Sequence, residues 1–434
     1  MSMRDTSRRR VPVGTLVVLV VYAAITAAVT AAALNMEPFG VLVRDGRLDG
    51  LQDFASHRGF ACSVWSGDAA KFGGTSAYAL PAHLHATERW SGMSPRIALP
   101  FGYSPTMVWI LGPLCVLPAR GAFVGWVLAG FVCTVAAIVR SKAHWWTLVV
   151  LLNPVTVYSI ILGQTAILST AAFVFLIVNT GTAASVVWSN AIVLWLLTAK
   201  PPLAITAAVV LAAQRQWRTL AIASVLAIAS ALIISPWLGA GWVHDYLVLF
   251  RHYDRVQMPA AFAWSIVPEL MSNLRAALSV DVGIADDIAV SFSNVVWVGS
   301  LVTLVTFAWR RSLDGGLLWS LAILVYLLFC AHVSATEELS LLCVLIALER
   351  RLPVSLALLS LALVFGGLHL SPAMGVLARR RPSALFFAKI ALLWTVLAAS
   401  ADGYRKRSVQ PSSRGEAWQA SLDRSRARPT TLRG

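Results

Sequence analysis

Carboxylates are scarce in this chain and unevenly placed. Between Arg89 and His244 there is no Asp or Glu, whereas Glu37, Asp45, Asp49, Asp53, Asp68 and Glu88 crowd the polar stretch at 35–102. A general base therefore has few candidates. Asp53, followed by Phe54, is the best placed, because it comes soon after the first apolar run and sits in a segment with helical periodicity. An ionised carboxylate there can take a proton from an attacking hydroxyl. Asp49, four residues earlier, would share its helical face and project into the same space. Each also fits the plainer reading of a solvated surface acid.

Other polar groups stand where the chain is otherwise apolar. Lys200 precedes Pro201-Pro202 in such a stretch, where a charge points to function, although a lysine reaching for the membrane interface would explain it equally. Asn153-Pro154 and Gly163-Gln164 interrupt apolar runs, and irregular backbone at membrane depth needs a protein or cavity environment. Gln164 also suits a hydrogen bond between helices. Tyr103, within Pro100-Phe101-Gly102-Tyr103-Ser104-Pro105, supplies an aromatic anchor at a rigid helix start. His332, ahead of Glu337 and Glu338, can bind a phosphate or orient a hydroxyl. Arg251, beside His252, Asp254 and Arg255 and after Trp237, Trp242, Tyr246 and Phe250, suits a lipid phosphate or an ordinary interfacial belt.

No Walker loop, dinucleotide fingerprint, zinc spacing or nucleophile elbow occurs, so no cofactor is expected; Glu337 and Glu338 leave a divalent metal open. Cys62, Cys115, Cys133, Cys330 and Cys343 are scattered without framework spacing and read as packing residues.

The elements that must position these groups are membrane helices. The chain is 58% hydrophobic and 13% charged, with a mean hydropathy of +0.73, and apolar runs of about 20 residues recur along it. The pattern predicts an all-α polytopic bundle of about 12 spans, at 13–34, 103–119, 121–139, 145–161, 164–178, 183–213 (broken near Pro201), 219–235, 291–309, 316–331, 336–349, 352–370 and 384–400. A β-barrel would need short alternating segments, which are missing. The net charge of +15 belongs to short loops and the tail rather than to nucleic-acid binding. Placing both termini in the cytoplasm puts most Lys and Arg inside, with Arg140, Lys142 and Arg379-Arg380-Arg381 dissenting. The membrane domain covers 1–402, with outer loops at 35–102 and 236–290, and residues 403–434 form a basic, disordered tail. In the first loop Leu48, Leu51, Phe54 and Ala55, then Phe60, Val64 and Trp65, predict a helix lying in the interface with an apolar face on lipid.

Asp53-Phe54, Phe101-Gly102-Tyr103-Ser104-Pro105, Asn153-Pro154 with Gly163-Gln164, and Lys200-Pro201, in that order over residues 10–400, resemble glycosyltransferase family 87 of the GT-C superfamily. The resemblance implies a multi-helix plasma-membrane enzyme of the cell envelope. It would move a mannose- or arabinose-type sugar from a polyprenyl-phosphate donor to a hydroxyl of a lipid or polysaccharide acceptor on the outer face, with inversion. Asp53 would be the base, and His332 would lie near the donor phosphate. Lys200 and Arg251 could stabilise the departing phosphate. The rival readings are a transporter or lipid flippase, or an inactive scaffold for envelope synthesis. Breaks confined to one region and unequal outer loops favour the enzyme over a repeat-built transporter.

Overall fold

The computed structural model describes residues 52–69, 76–91, 102–143, 146–151, 155–156, 159–160, 163–252, 273–311, 313–333 and 335–348, with isolated residues in 17–27 and 386–398. Asp49, Phe101, Asn153-Pro154, Arg379-Arg380-Arg381 and the tail at 403–434 lie outside the described residues, as does most of the first expected span and all of 352–370. Among the described residues every regular element is helical. In order these are α1 Gln52–Trp65, α2 Leu80–Ser91, α3 Thr106–Leu111 running into a 3-10 turn Gly112–Val116, α4 Ala119–Ser141, α5 Trp146–Leu151, α6 Ala166–Val178, α7 Ala184–Leu197, α8 Pro201–Ala213, α9 Trp217–Leu238, α10 Trp242–His252, a single helical turn Leu274–Ala276 running into a π turn Ala277–Asp281, α11 Asp286–Arg311, α12 Gly315–Phe329, a 3-10 turn Ala335–Ser340, and α13 Leu341–Leu348.

Three of these helices are long and apolar enough to cross a membrane: α4, α9 and most of α11. The others are shorter, so among the described residues the expected spans do not all appear as membrane-length helices. The 13 residues of α6 and of α8 reach about 20 Å at the helical rise, less than the roughly 30 Å of a hydrocarbon core. Each of them begins at a break that carries a polar side chain.

Two expected spans take another form. The stretch 103–119 is not a membrane-length helix. Its start bonds to the end of α7 (Ser104 N–H to the Ala199 carbonyl, 2.9 Å; Ser104 Oγ to the Thr198 carbonyl, 2.7 Å). Its finish returns to α1, where the Leu117 carbonyl accepts from Arg58 at 2.7 Å. Apolar composition and length suggested a span, but only the 11 residues of Thr106–Val116 are helical, and their end lies against α1. The stretch 183–213 is two antiparallel helices rather than one broken span. Asn190 of α7 is 3.5 Å from Gln216, just past α8, while Lys200 makes the turn between them. The Lys-Pro-Pro sequence dictates that turn: the residue before proline is pushed to extended backbone, and Lys200 has φ −119 and ψ 96 with Pro201 and Pro202 opening α8.

With both changes the bundle has two chemically distinct ends. α4 and α6 run parallel, since the Trp126 indole donates to the Gly163 carbonyl (3.1 Å) and, at the other end, Arg140 reaches Asn179 (3.4 Å). One end gathers α1, the turns at 163–165 and 198–200, and the loop at 330–340. The opposite end holds Arg140, Lys142, Arg215, Arg218, Arg310 and Arg311 against Asp314, tied together by Asn179, Asn190 and Gln216. Arg140 and Lys142 thus join the other basic loops rather than dissenting from them, and Arg120, at the start of α4, moves to the first end.

The interfacial helix expected in the first loop is a buried one. Phe54, Phe60, Ala61 and Val64 of α1 are covered by α3, α4 and α2, and on its other faces Asp53, Ser56, His57 and Arg58 are buried too. The reading of all five cysteines as packing residues also fails, because Cys62 of α1 and Cys115 of the 3-10 turn form a disulfide, with Cα atoms 5.4 Å apart. A pairing across 53 residues leaves no local spacing to recognise.

Candidate functional site

The first end of the bundle concentrates charge in a small volume. Asp53 is 7% exposed, in the first turn of α1, and accepts a hydrogen bond from the Gln164 side-chain amide. Gly163 allows this approach. It sits in the left-handed region (φ +68), and a Cβ there would overlap the Cβ of Phe54, so only glycine lets α1 lie directly on the turn. Phe54 then packs edge-on against Phe123 of α4, with ring centroids 5.3 Å apart, which fixes the rotation of α1 and aims Asp53 at Gln164.

Burial raises the Asp53 carboxyl to about 6, against the smaller opposing pulls of Gln164 and of the Lys200 charge. Near neutral pH Asp53 is ionised yet basic enough to accept a proton, the condition a general base needs. His57 lies one turn along on the same side, its ring 4.4 Å from that of Tyr103. Burial, then the charges of His83 and Lys200, push it down to about 3. It is therefore a neutral imidazole able to donate and accept hydrogen bonds.

Lys200 projects from the α7–α8 turn across the face of Tyr103, 5.9 Å from the ring centre, and forms an ion pair with Glu337 of the 335–340 turn. The Tyr326 hydroxyl of α12 donates to the same carboxylate. Glu338 pairs instead with Lys389. The two glutamates thus face separate lysines, and among the described residues no three His, Cys, Asp or Glu side chains gather as metal ligands. Tyr103 also places its hydroxyl 3.3 Å from Thr165, closing the ring of contacts.

Beside this cluster a cavity of about 420 Å³ opens between α3, α4, α6 and α7. Tyr103, Thr165 and Lys200 line it at the charged end, and Phe175 and Arg140 line it far along α4 and α6; the wall between is apolar.

Four residues singled out in the sequence, Asp53, Gln164, Lys200 and Tyr103, therefore meet. His332 is half-buried on the loop of the same end, where its backbone amide bonds the Cys330 thiol. Arg251 ends α10, a helix joined to the site's outer layer by Ser76 donating to Asp245 (2.5 Å); its side chain and Asp49 lie outside the described residues. Sequence reasoning missed His57 and Tyr326, and took Glu337 only as an open metal ligand. The spacing of four from Asp53 was a usable signal for His57; nothing local marks Tyr326. No known protein family, curated protein or solved structure matches the chain.

Proposed function

We propose that the chain is an integral-membrane glycosyltransferase that moves a sugar from a polyprenyl-phosphate donor to an acceptor hydroxyl, with Asp53 as the general base. The observation that carries this reading is the pairing of a buried, raised carboxylate with a lysine at the mouth of a long apolar cavity. Asp53 removes the acceptor proton as the hydroxyl oxygen attacks the anomeric carbon from the face opposite the phosphate. The bond to the phosphate oxygen breaks with its electron pair, and Lys200, with its ammonium on Tyr103, stabilises the charge that builds there. Gln164 orients Asp53. His57, neutral and adjacent, is suited to a sugar hydroxyl. The apolar cavity, running from Lys200 towards Arg140, suits the prenyl chain.

Two features favour an outer-face site. The loops at the opposite end carry Arg140, Lys142, Arg215, Arg218 and Arg310 against Asp314, a basic excess of the kind cytoplasmic loops have, and the Cys62–Cys115 disulfide beside the site belongs to an oxidising compartment. The buried Lys389–Glu338 pair is the one observation that suits the rival reading of a transporter, where intramembrane ion pairs are common. Purified protein in lipid, assayed with a panel of polyprenyl-phosphate sugars beside Asp53→Asn, tests the proposal. Transfer from one donor that vanishes in the variant supports it. No transfer from any donor by well-folded protein overturns it and turns attention to transport assays.

A further inference from the structure

Lys200 serves two masters. It is the direct ion-pair partner of Glu337, and its charge also acts on Asp53. With all three ionised the cluster carries one net negative charge, and the neighbouring Glu338–Lys389 pair adds none. A phosphodiester anion arriving at Lys200 adds another negative charge, and it reaches the ammonium only if Glu337 yields it. Glu337 is built to survive that loss, because the Tyr326 hydroxyl donates to its carboxylate and Ser340 holds its backbone carbonyl at 2.7 Å.

We propose that Glu337 is a positioning residue, which holds the Lys200 ammonium while the donor is absent and cedes it to the donor phosphate on binding, so that Glu337 sets how much of the lysine's charge reaches Asp53. The phosphate half of this rests on the transferase reading; the charge-sharing half does not. During transfer the acceptor proton goes to Asp53 and the electron pair of the breaking C–O bond goes to the phosphate, so negative charge leaves one neighbour of Lys200 and appears at another. A lysine shared in advance answers both without large movement.

Glu337→Gln removes the competing anion. Lys200 then serves Asp53 alone, and the acid limb of the rate profile moves to lower pH by about one unit, while the donor KM falls about threefold. Tyr326→Phe acts in the opposite sense: Glu337, deprived of its second donor, grips Lys200 more tightly, and the acid limb moves up. The other titratable groups around Asp53, Lys200 and Tyr326 are His57, with His83 behind it, Tyr103, Cys330 and Glu338, all unchanged in these variants. A uniform loss of kcat with an unmoved limb and unchanged donor KM in both variants overturns the proposal and makes Glu337 a brace of the fold.

The same shift is read without turnover by infrared titration of the protonated-carboxyl band that Asp53→Asn abolishes. A lower midpoint in Glu337→Gln upholds the charge-sharing even if no sugar donor works, and an unmoved midpoint refutes it whatever the assay shows.

Discussion

Asp53 is held in a state that disfavours its own charge, and this has opposite effects on stability and activity. Its folded pKa, about 6, lies above the ordinary value, so the folded state binds a proton that the unfolded chain has already released. The group's contribution to stability is complete below the ordinary carboxylate range and is lost as pH rises through 6, at a cost of about 3 kcal/mol for the buried anion at neutral pH. Asp53→Asn, which keeps an oxygen for Gln164, should therefore raise the melting temperature near pH 7 while reducing transfer by roughly 10²–10⁴-fold; a thermal scan beside the transfer assay checks both. The wild-type rate should fall as pH drops through about 6, and a profile flat from 5 to 7 would remove Asp53 as the titrating base. Lys200→Ala leaves the Glu337 carboxylate buried without its cation and should cost about 3–5 kcal/mol; adding Glu337→Gln should recover much of that, which denaturation of both variants would show.

At the scale of elements, the site depends on two turns and a crosslink. Gly163→Ala forces a Cβ against Phe54 at a left-handed position and should cost about 1–2 kcal/mol for the backbone alone, with a larger loss of activity as α1 is pushed off the Gln164 turn. Breaking the Cys62–Cys115 link by Cys115→Ser should lower stability by up to about 4 kcal/mol, as closing a loop of this length does, measurable as a lower melting point that added reductant does not deepen. These elements differ in how far the sequence betrays them. The Lys200-Pro201-Pro202 turn was legible because proline dictates backbone locally, and so was the break at Gly163-Gln164. Whether the chain continues or doubles back at such a turn depends on distant contacts such as Asn190 with Gln216, so one span was expected where two helices run antiparallel. In the same way 103–119 has the composition of a span, and only distant contacts, the Arg58 bond to Leu117 and the Cys62–Cys115 link, show its end lying against α1. Asp53, Gln164, Lys200 and Tyr103 could be picked out because each is a polar anomaly in its surroundings; the disulfide could not, because neither cysteine is anomalous locally.

For the whole molecule, acidic charge is sorted by end among the described residues. Asp53, Asp68, Glu88, Asp245, Asp286, Glu337 and Glu338 lie towards the site together with Arg58, Lys200, Arg275 and Lys389, whereas Arg140, Lys142, Arg215, Arg218, Arg310 and Arg311 lie opposite with Asp314. Arg120 lies at the site end and Arg140 and Lys142 at the opposite end, the reverse of what was expected for these three. In the proposed orientation, Lys142→Cys should react with a membrane-impermeant maleimide only after the cytoplasmic face is opened, and Glu88→Cys should react in intact cells; the reverse pattern would invert the molecule. The Cys62–Cys115 bond adds a matter of timing. In the proposed orientation, thiols on α1 and on the turn after α3 can join only once both have left the reducing interior, so a newly made chain would reach the membrane with its Asp53-bearing helix untethered. Maturation of the proposed site would then wait on export and oxidation, and a cell poor in thiol oxidants would accumulate inserted protein that lacks the proposed activity.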